Sequence, residues 1–422
     1  MQDTQDEVEI IERIAALDVG KAEVVCCVRV PGPGRRRVQQ IRSFDTMTNS
    51  LLELADWLGE LGVTRVVMEA TSDYWRAPFY VLEDRFEAWL VNANDVKHLP
   101  GRPKTDKLDA AWLCKVAERQ MLRPSFVPPP PIRDLRDLTR YRADLIAART
   151  AEKQRVEKLL DSALIKLSVV ASDIFGVSGR AMMGALIAGQ RNPRVLAQLA
   201  HGPMRAKDKL RRLEEAFTGR FTPHHAFLLQ TMLDRIDAID ADLTHVQTRI
   251  EQHLAPLDVG SVLARLDEIP GIGIIAAYTI LAEIGLDMTR FPTPAHLASW
   301  AGFAPGVKES AGRRQGRTHT THGNRYLARI LGEVAIGASR TNTFLGERYR
   351  RIARRRGKKR AIVAIGRSIL TVIWKILSDD TTRFIDLGPD YYPNKTNRDR
   401  RVHNHIRGLH DLGYRVTLEP AA

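Results

Sequence analysis

Short apolar runs separated by polar turns fill the first quarter of the chain and predict strands alternating with helices. Residues 14–19, 23–30 and 38–44 read as three successive strands, with the PGPG of residues 31–34 supplying a turn. A helix is predicted over about 49–61, then a strand at 65–69, a helix after Asp73, a strand at 88–92 and a helix over about 106–118. The four prolines at 128–131 cannot continue a helix and predict a stiff linker. Beyond them the period changes. Leu135, Leu138, Tyr141, Leu145, Val156, Leu159 and Leu160 recur at helical spacing over 134–167, and a second such stretch covers 207–254. These spacings fit long helices that pair as a hairpin or coiled coil, and they leave open a plain bundle or an oligomerising coil.

Three strands followed by αβαβα is the order of a ribonuclease H-like, or RuvC-like, sheet. The predicted architecture is therefore multidomain α/β plus α. It comprises a sheet domain at 12–125, a Pro-rich linker with a helical or coiled-coil region at 126–262, a mostly α domain at 263–375 and a tail at 376–422. Within the third part, EIPGIGIIAAYTILAEIG at 268–285 reads as a helix-hairpin-helix in which Gly271 and Gly273 make the turn. The amides opening the following helix would suit a nucleic-acid phosphate; close helix packing would also explain the glycines.

The 422 residues carry 64 Lys and Arg against 50 Asp and Glu, a net charge of +14. Between Lys308 and Arg360 there are sixteen basic and three acidic residues, so nearly all of the excess lies in one segment. A run that dense implies a polyanion partner, through counterion release from phosphates; a solvated helix face is the alternative. Cys26, Cys27 and Cys114 show neither disulfide nor zinc spacing and read as buried thiols in a reducing compartment. The acidic N-terminus is unlike a signal peptide, and Arg367 interrupts the last long apolar run. A cytoplasmic protein without a membrane span is expected.

Four acids dominate the candidate chemistry. Asp18 in ALDVG and Glu69 in RVVMEAT end apolar strands, and Asp106 and Asp109 sit three apart on a predicted helix, so all four can converge at one sheet edge. Together they would repel one another unless cations neutralise them, and an all-oxygen set suits Mg2+, in a pair that supports phosphoryl transfer. Ser310 lies in a Gly-containing loop beside Arg313, Arg314 and Arg317; its hydroxyl needs a base or metal to act as a nucleophile. Further candidates for nucleic-acid contact are Asn324, Arg325, Arg329, Arg354, Arg355, Arg356, Lys358 and Lys359, with Asp95, His98 and Lys104 weaker ones. His319 and His322 lack the partners of a metal set, and Trp75, Trp112 and Trp300 read as core.

Taken together, the four acids, the helical insert, the helix-hairpin-helix, the Ser310 loop and the GNRYLARIL segment resemble the insertion-sequence-110 family of transposases up to about residue 375. The resemblance implies a RuvC-like DEDD domain, with Asp18, Glu69, Asp106 and Asp109 binding Mg2+. It also implies a C-terminal transposase domain in which Ser310 forms a phosphoserine link to DNA. Family members act as DNA recombinases guided by a structured bridge RNA that pairs with donor and target DNA. They work as dimers or tetramers, with acids and serine from different subunits meeting. This chain departs from the pattern at Ala311, which separates Ser310 from Gly312, and at Thr321 and His322 before the Gly-Asn pair. Ser299 is the fallback nucleophile. Alternatives are a RuvC-like metal-dependent endonuclease that leaves Ser310 idle, a non-catalytic nucleic-acid-binding protein and, last, an actin-like ATPase read from Asp18 to Gly20.

Overall fold

The structure is a computed structural model that describes residues 10–34, 36–93, 96, 106–305, 309–310, 313–314, 320 and 323–418; at 106–107, 309–310, 313–314, 393, 395–399 and 401 it describes the backbone alone. Asp95, His98, Lys104, Ala311, Gly312, Arg317, His319, Thr321 and His322 lie outside the described residues. The chain divides into two compact units, Met1–Val127 and Pro128–Ala422.

The first unit opens with β1 (Ile14–Val19), β2 (Glu23–Pro31) and β3 (Arg37–Asp45), an antiparallel meander. It continues through α1 (Thr48–Glu60), β4 (Arg65–Glu69), α2 (Arg76–Leu82), β5 (Glu87–Val91) and α3 (Asp106–Glu118). The sheet order is β3-β2-β1-β4-β5, with β4 parallel to both β1 and β5. This mixed sheet is consistent with a ribonuclease H-like domain. The two faces are sorted by the period of two along each strand. Ala15, Leu17, Val66 and Met68 pack under Leu54, Leu58, Phe79 and Leu82 of α1 and α2. Ile14, Ala16, Val25 and Val67 pack under Ala110, Leu113, Cys114 and Ala117 of α3. Central strands covered on both sides read as continuous apolar runs, whereas β3 at the edge is largely exposed and polar.

The second unit corrects two expectations. The prolines at 128–131 are not all linker: Pro129 is the N-cap of α4 (Pro130–Ser162), with proline inside the first turn, where the missing N–H costs nothing. Residues 207–254 are not one helix either. After α4 come α5 (Leu167–Val170), α6 (Val177–Ile187), α7 (Pro193–Gln198) and α8 (Lys207–Ala216), and only then α9 (Pro223–Leu254). Gly219 sits in the break, where the chain passes so close to Ala163 that a Cβ would lie 2.6 Å from its carbonyl oxygen. Thr222 then starts α9 with a capping box to His225.

The long helices α4 and α9 pair antiparallel. Leu135 packs with Ile250 and Leu254, Leu145 with Ile239 and Leu243, and Val156 and Leu160 with Leu229, Leu233 and Ile236. At 33 residues α4 is about 50 Å long, so the hairpin is an extended arm. Its far end is filled by Met182, Met183, Leu186, Leu196, Leu213 and Phe217 from α6, α7, α8 and the turn after it.

Behind the arm lies a helical core of α10 (Gly260–Asp267), α11 (Ile274–Ile284), α12 (Pro294–Trp300), α13 (Arg325–Ser339), α14 (Phe344–Arg356) and α15 (Lys358–Ser378). Despite Arg367, α15 is long and apolar enough to cross a membrane by length and composition. Its apolar side is spent elsewhere: Ile365, Ile369, Leu370, Ile373 and Ile376 are fully buried in this core. The buried Arg265 of α10 donates to the Ile376 and Asp379 carbonyls at 2.8 and 2.9 Å, closing the C-terminal end of α15. Finally α16 (Tyr391–Asp411) leaves from Tyr392, stacked on Phe344 at 5.1 Å.

Candidate active site

Asp18 and Glu69 arrive side by side. The parallel register pairs Leu17 with Met68, so the next residues on β1 and β4 are the two acids. Asp18 shares its face with Ile14 and Ala16, and Glu69 shares its face with Val67, so both lie on the side that α3 covers. Both are half-buried, as is Asp109.

The helix is held in a definite register. Its far end lies over the start of β1, where the Cys114 thiol points at the Ile14 carbonyl oxygen, 3.7 Å away, and Ile11 N–H donates to the Glu118 carbonyl oxygen at 3.1 Å. Asp106 precedes Cys114 by eight residues, about 12 Å of helix, and Asp18 follows Ile14 by four, about 13 Å of strand. By these lengths the backbone of Asp106 reaches about as far as Asp18, with Asp109 one turn nearer Cys114. Glu118 anchors the other end of α3: it is 5% exposed and accepts from Arg29 Nε at 2.9 Å and Arg37 Nε at 2.6 Å. All three cysteines are free and buried, Cys27 and Cys114 between this helix and the sheet and Cys26 on the opposite face of the sheet. Burial pushes the Cys26 and Cys114 thiols up, while a hydrogen bond with Cys114 pulls Cys27 down.

The donor set is all oxygen, suited to a hard divalent cation. Among the described residues no group of three or more His, Cys, Asp or Glu forms a metal cluster, and the Asp106 side chain is not among them.

Ser310 belongs to a two-residue strand, β6 (Glu309–Ser310), paired antiparallel with β7 (Arg313–Arg314), so that Ser310 faces Arg313 in register. The loop carrying this hairpin is closed at its base. Pro305 bridges Thr320, and a Cβ on Gly323 would lie 2.2 Å from the Ala301 carbonyl oxygen, so only glycine fits there. Next to it, Asn324 caps α13: its side-chain oxygen accepts from Tyr326 and Leu327 N–H at 3.0 and 3.2 Å.

Asn324 also donates from its amide to Glu283, a carboxylate with 0% exposure on α11. Arg140 of α4 grips the same carboxylate with two bonds of 2.8 Å, and Arg136 adds a contact at 3.4 Å. Burial would lower the Arg140 guanidinium, but the Glu283 hydrogen bonds and charge outweigh it and hold it up. Sequence reading passed over Glu283, Arg136, Arg140 and Glu118. A signal existed for the first, since Glu283 is the single charged residue of the apolar helix α11.

The two glycines of the PGIG turn differ. Gly271 has φ +91°, and a Cβ there would meet the Val334 carbonyl oxygen at 2.4 Å and Ala338 N at 2.7 Å, so it seats the turn on α13. Gly273 is the extended N-cap of α11, with open space where a Cβ would go. Arg325 stacks on Tyr326 at 4.8 Å and Arg329 pairs with Glu333 at 3.1 Å. Arg354, Arg355, Arg356, Lys358 and Lys359 are exposed around Gly357, whose φ of +85° turns the chain from α14 into α15. Ser299 is exposed on α12 beside the buried Leu297 and Ala298. Trp75, Trp112 and Trp300 all pack against the cores.

Two family models match the chain. One, described as a transposase of the IS110 DEDD type, covers residues 15–165, from β1 to the end of the α4 arm. The other, described as a transposase of the IS116/IS110/IS902 family, covers 263–350, from α10 into α14. Relatives include an uncharacterised protein of insertion element IS110 from Streptomyces coelicolor, 27% identical over 67% of this chain and 72% of its own length. A protein of insertion element IS900 from Mycobacterium paratuberculosis is 26% identical over 86% and 95% respectively. A probable family 20 transposase from Pseudomonas aeruginosa is 22% identical over 78% and 88%. The matched regions carry both the acid-bearing sheet edge and the loop closed by Gly323, and the chain belongs to the IS110 family of transposases, enzymes that cut and join DNA.

Proposed function

We propose that this transposase recombines the DNA of an insertion sequence through two centres, a RuvC-like carboxylate set and a serine nucleophile. The observation that carries the reading is the adjacency of Asp18 and Glu69 on the face covered by α3. In this reading Asp18, Glu69, Asp106 and Asp109 hold a pair of Mg2+ ions. Bound there, the ions neutralise the acids and stabilise charge building on the phosphoryl oxygens. Ser310 Oγ attacks a DNA phosphorus, forming a phosphoserine ester as the bond to the sugar oxygen breaks and that oxygen takes the proton. Arg313, Arg314 and Arg317 offset negative charge at the phosphate.

The exposed run around Gly357, the open N-terminus of α11 at Gly273, and Arg325 and Arg329 supply backbone contacts to nucleic acid, which add affinity without sequence choice. A structured bridge RNA would then select donor and target. The resemblance supports this, as it supports a dimer or tetramer, a cytoplasmic, nucleoid-associated site of action, and separate functional regions at 12–125, 126–262, 263–375 and 376–422.

Asp18→Ala and Ser310→Ala are each expected to abolish strand joining, and Ser310→Ala also to abolish a covalent protein–DNA adduct, while both still bind duplex DNA. Cleavage that persists in Ser310→Ala would replace the reading with a metal-dependent endonuclease. Full activity in Asp18→Ala would remove the carboxylate set from the chemistry.

A further inference from the structure

A fully buried carboxylate is costly unless hydrogen bonds and charges compensate it, and an apolar residue of similar size would often serve stability as well. Glu283 is compensated by partners from two other elements, Arg140 of α4 and Asn324 at the N-cap of α13. Oε1 accepts from Arg140 Nε at 2.8 Å, and Oε2 accepts from Arg140 Nη2 at 2.8 Å and from the Asn324 amide. Arg136 fixes the backbone beneath, donating to the Ala282 and Glu283 carbonyls at 3.0 and 2.7 Å. The Arg140 guanidinium also lies over the Tyr326 ring at 4.7 Å. One buried group thus locks the root of the α4 arm to the residue through which the chain leaves the Ser310 loop.

The Pro305–Thr320 bridge, the Gly323 seat on Ala301 and the Asn324 cap all sit at the base of the loop. We propose that Glu283 is a positioning residue for Ser310, holding Asn324 and Arg140 together so that the orientation of the helical arm is passed to the nucleophile's loop. This rests on the serine reading above. Strain or movement of the arm when nucleic acid binds would reach the loop through Arg140, because the charged, two-pronged contact resists sliding in a way that apolar packing does not.

The test is an exchange of functional groups. Asn324→Asp keeps a good N-cap for α13 but sets a second carboxylate against Glu283. Expected is a ten- to hundredfold slower strand joining on a plasmid carrying the element's ends, of the order that a 1 Å misplacement costs, with affinity for a mixed-sequence DNA duplex within about twofold of the parent. The double variant Glu283→Gln, Asn324→Asp keeps the net charge and heavy-atom shape and restores a donor–acceptor pair between the two positions, but its amide nitrogen no longer accepts from Arg140 Nη2, so joining is expected to recover several-fold over Asn324→Asp without reaching the parent. Arg140→Lys, which keeps the charge and loses the fork, is expected to lower kcat about tenfold at unchanged KM. Joining in Asn324→Asp within twofold of the parent would overturn the proposal, as would a double variant that regains its melting temperature but joins no faster than Asn324→Asp. Ser310→Ala is run alongside. An inactive Ser310→Ala with a normal Asn324→Asp removes only the Glu283 role; an active Ser310→Ala removes the serine reading and this proposal with it.

Discussion

Replacing Gly271 and Gly273 by alanine, one at a time, separates two roles that the PGIG turn superimposes. At Gly271 the backbone sits at φ +91°, a conformation that costs an L residue about 1–3 kcal/mol. The added methyl would also lie 2.4 Å from the Val334 carbonyl oxygen and 2.7 Å from Ala338 N, both backbone atoms of α13. Helix backbone cannot rotate away as a side chain can, so relief requires α10 and α11 to shift from α13, at an overpacking cost of about 1–3 kcal/mol more. The sum is about 4 kcal/mol, a large share of an ordinary domain's stability of about 5–15 kcal/mol. At Gly273 the backbone is extended, and nothing lies within 4 Å of the new Cβ. Alanine is a poorer N-cap than glycine, but it also restricts the unfolded chain, and the two effects leave a change within about 0.5 kcal/mol. Urea unfolding followed by circular dichroism, with thermal melting as a second measure, is expected to show a fall of roughly 10 °C for Gly271→Ala and almost none for Gly273→Ala. If the N-terminus of α11 takes a phosphate as proposed, the order reverses in duplex-binding assays for whatever is still folded, because the Gly273 methyl would stand in the phosphate's path. A loss below about 1 kcal/mol at Gly271, or equal losses at both sites, would refute the packing argument.

The triple change of Arg354, Arg355 and Arg356 to Ala is expected to lower nucleic-acid affinity and flatten the slope of log K against log salt by about 2–3 units, one per lost phosphate contact; an unchanged slope would make this a merely solvated face. Glu118→Gln strips the countercharge from Arg29 and Arg37, and should cost about 3 kcal/mol in unfolding free energy and weaken Mg2+ binding measured by calorimetry, since α3 loses its anchor. Acid should loosen the second unit. Hydrogen bonds from Arg383 to Glu268, from Thr289 to Asp287 and from Thr381 to Asp379 hold these carboxyls below their ordinary values. Their stabilisation is therefore present above the ordinary carboxylate range and lost as pH falls through the lowered values, and Asp287→Asn should flatten the decline of melting temperature in that window.

The sheet was legible because its signal is local. Apart from the polar edge strand β3, each strand is a short apolar run ended by a turn or a charge, and α3 announces itself by its own spacing. The acids could be read as a group because strands end where polar residues resume, so Asp18 and Glu69 mark sheet edges in the sequence itself. Local signals also misled. A 3.6-residue period runs through 207–254, but Gly219 and Pro223 break it, and only the closeness of Ala163 shows why. The apolar run of α15 is the same string whether a membrane or five neighbouring helices cover it.

By itself the sequence determined the succession of strands and helices that puts two acids at the ends of strands, the presence of long helices beyond the prolines, the basic segment near the end and the family. Tertiary structure alone decided which groups hold those parts in place. Glu283 meets Arg140 across 143 positions and Asn324 across 41, and Gly271 must be glycine because of α13, more than sixty residues later. Periodicity reports which side of an element faces inward. It carries nothing about what waits on the other side, because the partner of a buried charge or a missing Cβ is set by packing between segments that share no local pattern.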